Sequence, residues 1–157
     1  MRYAFVLGGL WCALAGPVVA QSHLSDAAPG GGLRLHVGMW TTHLRDVGRG
    51  LENNWLVGVG WRGLYGSTFV NSYGSRAFAL GVERSMSRAT DGVIERGIGY
   101  RLGLVTGYDR RFHPFADKVP ALPIAQLVGD VASGPTSVEL AWTGLVASLG
   151  PRVRISP

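Results

Sequence analysis

Residues 54–73 read NWLVGVGWRGLYGSTFVNSY, and their alternation decides the fold. Tryptophan or valine occupies the odd positions from Trp55 to Trp61, while glycine occupies positions 58 and 60. A period of two with unlike faces is typical of a β-strand. Arg62-Gly63 then supplies a short turn, and a second strand-like run follows to residue 71. The stretch therefore predicts two neighbouring antiparallel strands, each with one apolar face.

The same alternation recurs along the chain. Between 76 and 87, for example, Phe78, Leu80 and Val82 oppose alanine, glycine and glutamate. We predict eight strands, at about 33–43, 54–62, 63–71, 76–87, 93–108, 120–130, 136–143 and 145–156. Most are close to the roughly nine to eleven residues that a tilted strand needs to cross a bilayer, and short connections alternate with longer ones. The sequence therefore predicts an all-β protein, an eight-stranded antiparallel transmembrane β-barrel over residues 33–157.

A soluble eight-stranded barrel or sandwich is the alternative, in which the apolar face would point inward onto a core. The opposite face carries glycine, alanine and charge, which is too little apolar volume for a second buried layer. Aromatic residues also occur near the strand ends, as in the girdles of membrane barrels. They are Trp40, Trp55, Trp61, Tyr73 and Tyr108. Both patterns favour a barrel in a membrane.

The N-terminal residues have the pattern of a secretory signal peptide. Arg2 precedes an apolar run, and Val18-Val19-Ala20 resembles a cleavage site. We expect a cleaved signal at 1–20, a flexible N-terminal segment at 21–32, and location in the outer membrane of a Gram-negative cell. The alternative is an uncleaved amphipathic first helix. Cys12 is the only cysteine and lies inside the signal, so we expect neither disulfide nor thiol chemistry.

Charge and barrel size limit the possible partners. Without the signal, 14 basic residues face 10 acidic ones, and the arginines are scattered singly, which argues against a nucleic-acid partner. An eight-stranded barrel has no open aqueous pore, so we expect no solute transport and an interior that side chains fill or in which they leave one small pocket. We predict an internal ion network built from Glu83, Glu95, Glu139, Arg62, Arg84 and Arg101.

Histidine placement gives no sign of a metal centre. His23, His36 and His113 lack the ligand spacing or carboxylate cluster of a metal site. We therefore expect no metal and no cofactor. We also expect the barrel to be a monomer.

Two polar clusters end strands at the same rim of the predicted barrel. His43 lies at the outer end of the first strand, and Asn71-Ser72 at the outer end of the third. Histidine can act as a general base, serine as a nucleophile or proton donor, and asparagine can orient a histidine. Strict alternation leaves His43 on the apolar face, so it points inward only if the strand ends or bulges near Thr41-Thr42. The alternative is that these are turn-forming polar residues at strand ends.

Several motifs resemble the lipid A palmitoyltransferase (PagP) family. They are Gly-Leu-Tyr-Gly-Ser-Thr-Phe-Val-Asn-Ser-Tyr at 63–73, Gly-Leu-Val-Thr-Gly-Tyr at 103–108, Met-Trp-Thr-Thr-His at 39–43, the proline-marked run 119–124, and Gly134-Pro135. The resemblance covers most of the mature chain. It implies an outer-membrane barrel that transfers palmitate from a phospholipid to lipid A, with the acyl chain in a pocket inside the barrel.

The resemblance also implies roles for individual residues. His43 and Ser72 carry over as catalytic residues, and the prolines of the sixth and seventh strands would open a lateral route for lipid. Small inward residues would leave room for the acyl chain, namely Ala79, Gly81, Gly99 and Gly103. Arginines near the outer rim, namely Arg45, Arg49, Arg76, Arg110 and Arg111, would pair with lipid A phosphates, or are solvated loop charges.

Asn71 departs from the family, which has aspartate at this position. The site then lacks a carboxylate to stabilise an imidazolium. Outer-membrane phospholipase A is similar in using a Ser-His-Asn set, so asparagine is compatible with ester chemistry. The leading hypothesis is an acyltransferase in which His43 takes the proton of the accepting hydroxyl, while Asn71 and Ser72 orient it or the ester carbonyl. The alternative is a non-catalytic surface barrel that binds lipid or another surface component.

Overall fold

The computed structural model describes residues 32–44, 52–144 and 146–155. Its strands are β1 (Arg34–Val37), β2 (Trp40–His43), β3 (Glu52–Asn53), β4 (Val57–Trp61), β5 (Leu64–Val70), β6 (Arg76–Asp91), β7 (Ile94–Val105), β8 (Leu122–Ser133), β9 (Thr136–Trp142) and β10 (Val146–Arg154). Among these residues the only helical segment is a 3₁₀ turn, Ala116–Lys118. No helix in the described part of the chain is long and apolar enough to cross a membrane. The predicted signal peptide, the segment 21–31 and Arg45 lie outside the described residues.

The strands close into one antiparallel barrel. Ten segments form eight barrel strands. Segments β1 and β2 together form the first barrel strand, β3 and β4 form the second, and each of β5 to β10 forms one strand by itself. Closure is made by β10, which pairs with β1 through Leu35 and Val153 and with β2 through Thr42 and Ala147. The predicted eight-stranded antiparallel barrel is therefore confirmed as the fold.

A break in the first barrel strand turns His43 toward the interior. Gly38 lies between β1 and β2 with a φ of 78°, a conformation that glycine adopts without steric cost. Beyond this break the inward positions change parity, since His36 and Thr41 are both buried although they are five residues apart. The irregularity was expected near Thr41-Thr42 but lies at Gly38. The positive φ of Gly38 ends the regular alternation of the strand.

The long strands project beyond the barrel at the end opposite His43. β6 and β8 run to Asp91 and Ser133, past their predicted ends at 87 and 130. β5 pairs with β6 only as far as Val82, and a bulge follows between Ser85 and Ser87. The connections at this end are short turns. The pairing of β6 with β7 resumes after the bulge and continues to the turn. The end that carries His43 and the 71–75 turn is called the site rim below.

The outer surface carries a belt of large apolar side chains. Trp55 is 69% exposed and Leu80 is 71% exposed, whereas large apolar side chains in the core of a soluble protein are buried. Others on the belt are Val57, Val59, Trp61, Leu64, Phe78, Leu102, Leu104 and Trp142. An apolar surface of this extent on a barrel requires a covering.

The interior half away from the site rim is filled by an ion network. Its members are Arg34, Glu83, Arg101, Asp130, Glu139 and Arg152. Arg101 binds both glutamates, with its Nη2 3.0 Å from Glu139 Oε1, and its guanidinium lies 3.7 Å from the Tyr65 ring centroid. Three arginines balance three carboxylates, so a barrel interior with little water holds no uncompensated excess charge.

The prediction of an internal network was correct for Glu83, Glu139 and Arg101 and wrong for Arg84, Arg62 and Glu95. Arg84 follows Glu83 directly and therefore points to the other face, where it donates to the carbonyl of Gly63. Arg62 lies in the turn and stacks on Trp61 at 4.9 Å. Glu95 lies outside the network, at the open end of the barrel, and pairs with Arg88 and Arg154.

Candidate functional site

A cavity of about 430 Å³ lies between the ion network and the site rim. Its floor includes Tyr65 and Arg101, and its walls include Phe69 and Val105 from the barrel's apolar cluster. The volume falls within the range of roughly 300–1,000 Å³ that is usual for ligand pockets. The apolar walls suit a hydrocarbon chain that enters from the site rim, and the charged floor limits how deep such a chain can reach.

Small residues do line this cavity, although one of those expected does not. Ala79, Gly81 and Gly103 are on its wall, whereas Gly99 is not among its lining residues. A Cβ on Gly81 would collide with the carbonyl oxygen of Leu102, because β6 and β7 approach each other closely at this point. Gly81 therefore serves the packing of the barrel wall as well as the space within it.

His43 and Ser72 meet at the mouth of the cavity. His43 ends β2, and Ser72 lies in the turn that follows β5, so two separate barrel strands deliver the pair. The distance between His43 Nε2 and Ser72 Oγ is 3.0 Å, which is a hydrogen bond. His43 Nδ1 is buried and has no hydrogen-bond partner among the described residues. The pair has the reach of a base and a hydroxyl that share a proton.

The Asn71 side chain is directed into its own turn. Its Oδ1 accepts from the backbone N–H groups of Tyr73 and Ser75, at 3.0 Å each. Its Nδ2 donates to the carbonyl of Gly107 at 2.6 Å. Asn71 is 3% exposed, so these bonds are made away from bulk water. Both ends of the amide are thus engaged by backbone groups, and the residue shapes the loop that carries Ser72.

Sequence reasoning missed an ion pair in the β7–β8 connection. Arg111 was expected to pair with a lipid A phosphate or to be a solvated loop charge, but its guanidinium binds Asp109 with two nitrogens, at 2.7 and 3.0 Å. Hydrogen bonds from Arg111 hold the pKa of the Asp109 carboxyl below its ordinary value. The sequence Asp109-Arg110-Arg111 places an acid two residues before a base, a signal for such a local pair that went unused.

The other rim arginines are more exposed. Arg76 begins β6 on the site rim and is exposed. The Arg110 side chain is 83% exposed and lies 3.5 Å from Asp117. Arg76 is placed where a ligand at the rim could reach it, whereas Arg110 has the geometry of a solvated loop charge.

One side of the barrel wall is open near the site rim. β9 pairs with β8 only from Leu127 onward, so Leu122–Gln126 pair with β7 alone in the described ladders. This run includes Pro123, which has no backbone N–H to donate. Cavity-lining residues lie on both sides of the gap, at Pro123 and at Val146. Residues that line the cavity therefore border this unpaired edge of β8 as well as the rim.

One group in the described residues has the spacing of metal ligands. Ligand atoms of His36, Glu83 and Glu139 lie within 4.8 Å of one another. Both carboxylates are already bound by arginines, including Arg101, which contacts each of them. A cation at this point would face those guanidinium groups, so the cluster is better described as part of the ion network.

Comparison with known proteins adds no assignment. No protein-family model matches the chain, and no curated protein matches it.

Proposed function

We propose that the chain is an outer-membrane acyltransferase that moves a fatty acyl chain from a phospholipid to lipid A. The observation that carries the proposal is the His43–Ser72 hydrogen bond at the mouth of an apolar cavity. A membrane-embedded acyltransferase needs a reactive pair near the lipid ester and an apolar space for the acyl chain. The proposal is supported by the His–Ser pair at one end of the barrel and by the apolar-walled cavity beneath it. Palmitate is the acyl chain implied by the family that the sequence resembles.

Support for the membrane location comes from the exposed apolar belt. The alternating valine and tryptophan side chains of β4 all point outward, while Gly58 and Gly60 face the interior. A lipid-facing barrel has this arrangement, with polar or small residues inside. We propose a monomeric barrel, exported by the signal at residues 1–20.

The reaction follows from the placement of the pair. The accepting lipid A hydroxyl passes its proton to Ser72 Oγ, and Ser72 passes its own proton along the hydrogen bond to His43 Nε2 as the lipid A oxygen attacks the ester carbonyl of the phospholipid. The ester C–O bond then breaks, and the proton returns from the imidazole through Ser72 to the departing oxygen of the lysophospholipid. Ser72 Oγ thus joins His43 to the reacting atoms, and Asn71 holds the turn that carries Ser72.

Entry and anchoring of the lipids use the remaining features. The acyl chain reaches the cavity through the gap beside Leu122–Gln126, without passing through water. Arg76, on the site rim, and Arg45, two residues after His43 in the sequence, supply cations for the phosphates of lipid A.

The proposal is tested with purified protein in detergent micelles that contain a phospholipid with a labelled acyl chain and lipid A. We expect labelled lipid A from the wild type and none from His43→Ala or Ser72→Ala. His113→Ala is the matched control, because this histidine is exposed on the β7–β8 loop, where its Nδ1 accepts from the Phe115 N–H. Transfer that survives in His43→Ala would contradict the proposal.

A non-catalytic lipid-binding barrel is the second candidate. It is favoured by the absence, among the described residues, of a hydrogen-bond partner for His43 Nδ1, since a catalytic histidine is usually oriented through that atom. Under this function the cavity would bind a labelled phospholipid with equal affinity in the wild type and in His43→Ala, and no product would form.

A further inference from the structure

Arg111 links two segments of the site rim that are far apart in sequence. Its Nη1 donates to the carbonyl oxygen of Tyr73 and its Nη2 to Ser75 Oγ, both at 3.3 Å. The guanidinium also lies 5.2 Å from the centroid of the Tyr73 ring. The contacted residues, Tyr73 and Ser75, follow Ser72 in the same turn. Arg111 therefore binds the turn that carries the candidate catalytic hydroxyl.

Asp109 fixes the position from which Arg111 reaches this turn. Its Oδ1 accepts from the Arg111 backbone N–H at 2.9 Å, and both carboxylate oxygens accept from the guanidinium. Isolated surface ion pairs contribute little, but a two-pronged arginine–carboxylate pair has a defined geometry. The guanidinium is thereby held in a single orientation, with its remaining N–H groups aimed at the 73–75 backbone and side chains.

A second link joins the same two segments. Asn71 donates to Gly107, which lies in the β7–β8 connection only two residues before Asp109. The 71–75 turn is therefore attached to residues 107–111 at both of its ends. A displacement of either link would move Ser72 relative to His43, because His43 belongs to neither segment.

We propose that Arg111 is a positioning residue, which holds the 71–75 turn against the β7–β8 connection so that Ser72 Oγ stays in hydrogen-bond reach of His43 Nε2. The catalytic consequence of this role rests on the proposed acyltransferase function. Arg111 does not contact the lipid in this role. Its hydrogen-bonding groups are directed to Asp109, Tyr73 and Ser75 instead.

The test compares Arg111→Ala with Arg110→Ala, the matched control. Both changes remove one arginine from the same loop, but the Arg110 side chain is 83% exposed and its guanidinium pairs with Asp117 at 3.5 Å. We expect Arg111→Ala to lower kcat by about 10- to 100-fold with KM nearly unchanged, since a misplacement of about 1 Å can cost on the order of a hundredfold. Arg111→Lys should be equally impaired, because an ammonium group cannot reproduce the planar fork.

A readout independent of turnover is the ¹⁵N NMR signal of the His43 ring, assigned by its loss in His43→Ala. We expect Arg111→Ala to shift this signal toward that of a ring without the Ser72 hydrogen bond, and Arg110→Ala to leave it in place. If the wild type proves inactive in acyl transfer, the proposed function fails, and the ring signal alone still decides whether Arg111 positions Ser72.

Three results would overturn the positioning role. The first is an Arg111→Ala protein that matches Arg110→Ala in both kcat and the His43 signal. The second is a raised KM that Arg111→Lys restores, because that pattern identifies a cation that contacts a lipid phosphate. The third result applies if Arg111→Ala does not fold, in which case Asp109→Asn replaces it in the same experiments. An Asp109→Asn protein with unchanged kcat and an unchanged His43 ring signal would then overturn the positioning role.

Discussion

Replacing Asn71 by aspartate separates the structural role of this residue from the role implied by family resemblance. Aspartate is the residue that the lipid A palmitoyltransferases have at this position, so a carboxylate acting in catalysis would make Asn71→Asp more active. The contacts of Asn71 predict the opposite. The carboxylate keeps the acceptor for Tyr73 and Ser75, but it has no N–H for the Gly107 carbonyl and places a negative oxygen 2.6 Å or so from it.

The size of the effect follows from these three bonds. Loss of one partner of a buried hydrogen bond costs about 1–3 kcal/mol. The two remaining bonds become charge-assisted and offset part of this loss. We therefore expect the free energy of unfolding to fall by about 1–2 kcal/mol, with a loss of transfer activity because the Ser72 turn is released from the β7–β8 connection.

Two assays read this prediction. Urea unfolding in detergent, followed by the mobility difference between folded and unfolded barrel on gels, gives the stability, and labelled acyl transfer gives the activity. Asn53→Asp is the matched control, since Asn53 is exposed and uses its Oδ1 only to accept from the Trp55 N–H, a bond that aspartate retains. An Asn71→Asp protein that is as stable as the wild type and more active would refute the structural role.

Three further predictions follow from the barrel interior and the rim. Arg101→Met leaves its two buried glutamate partners short of a cation, so the free energy of unfolding should fall by about 3–5 kcal/mol in the same urea assay. Ala79→Phe fills the cavity and should abolish transfer of a long acyl chain, whereas Ala89→Phe, on the exposed projecting part of the same strand, should leave it unchanged. The folded-state pKa of Asp109 is depressed, so its pairing with Arg111 should be complete at neutral pH and be lost only as the pH falls through that lowered value. NMR titration of the Asp109 carboxyl should show the midpoint below the ordinary value of about 3.9 and a return toward it in Arg111→Ala.

The strand pattern could be predicted because a barrel wall has a period of two and unlike environments on its faces. Residues 57–61 show this directly, since each valine and tryptophan is exposed and each glycine is buried. The strand end at Asp91 was less accessible, because residues 84–91 of β6 are all exposed and no contrast between the two faces marks where the strand stops.

Features that depend on one dihedral angle or on distant contacts could not be read from the sequence. In the sequence, Gly38 resembles the other glycines of the strands. Its positive φ nevertheless changes which side chains of residues 39–43 point into the barrel. Arg34 and Arg152 reach the ion network with long side chains from strands that close the barrel, which alternation alone does not reveal. The bond of Asn71 to Gly107 spans 36 residues and is visible only after the two segments are brought together.

The most direct test of acyl transfer is the mass spectrum of lipid A from an outer membrane that lacks palmitoylated lipid A and carries this protein. A palmitate-sized mass gain is predicted with the wild type, and its loss is predicted with His43→Ala and with Ser72→Ala at equal levels of folded barrel. An unchanged lipid A spectrum from correctly inserted wild-type protein would contradict the acyltransferase function.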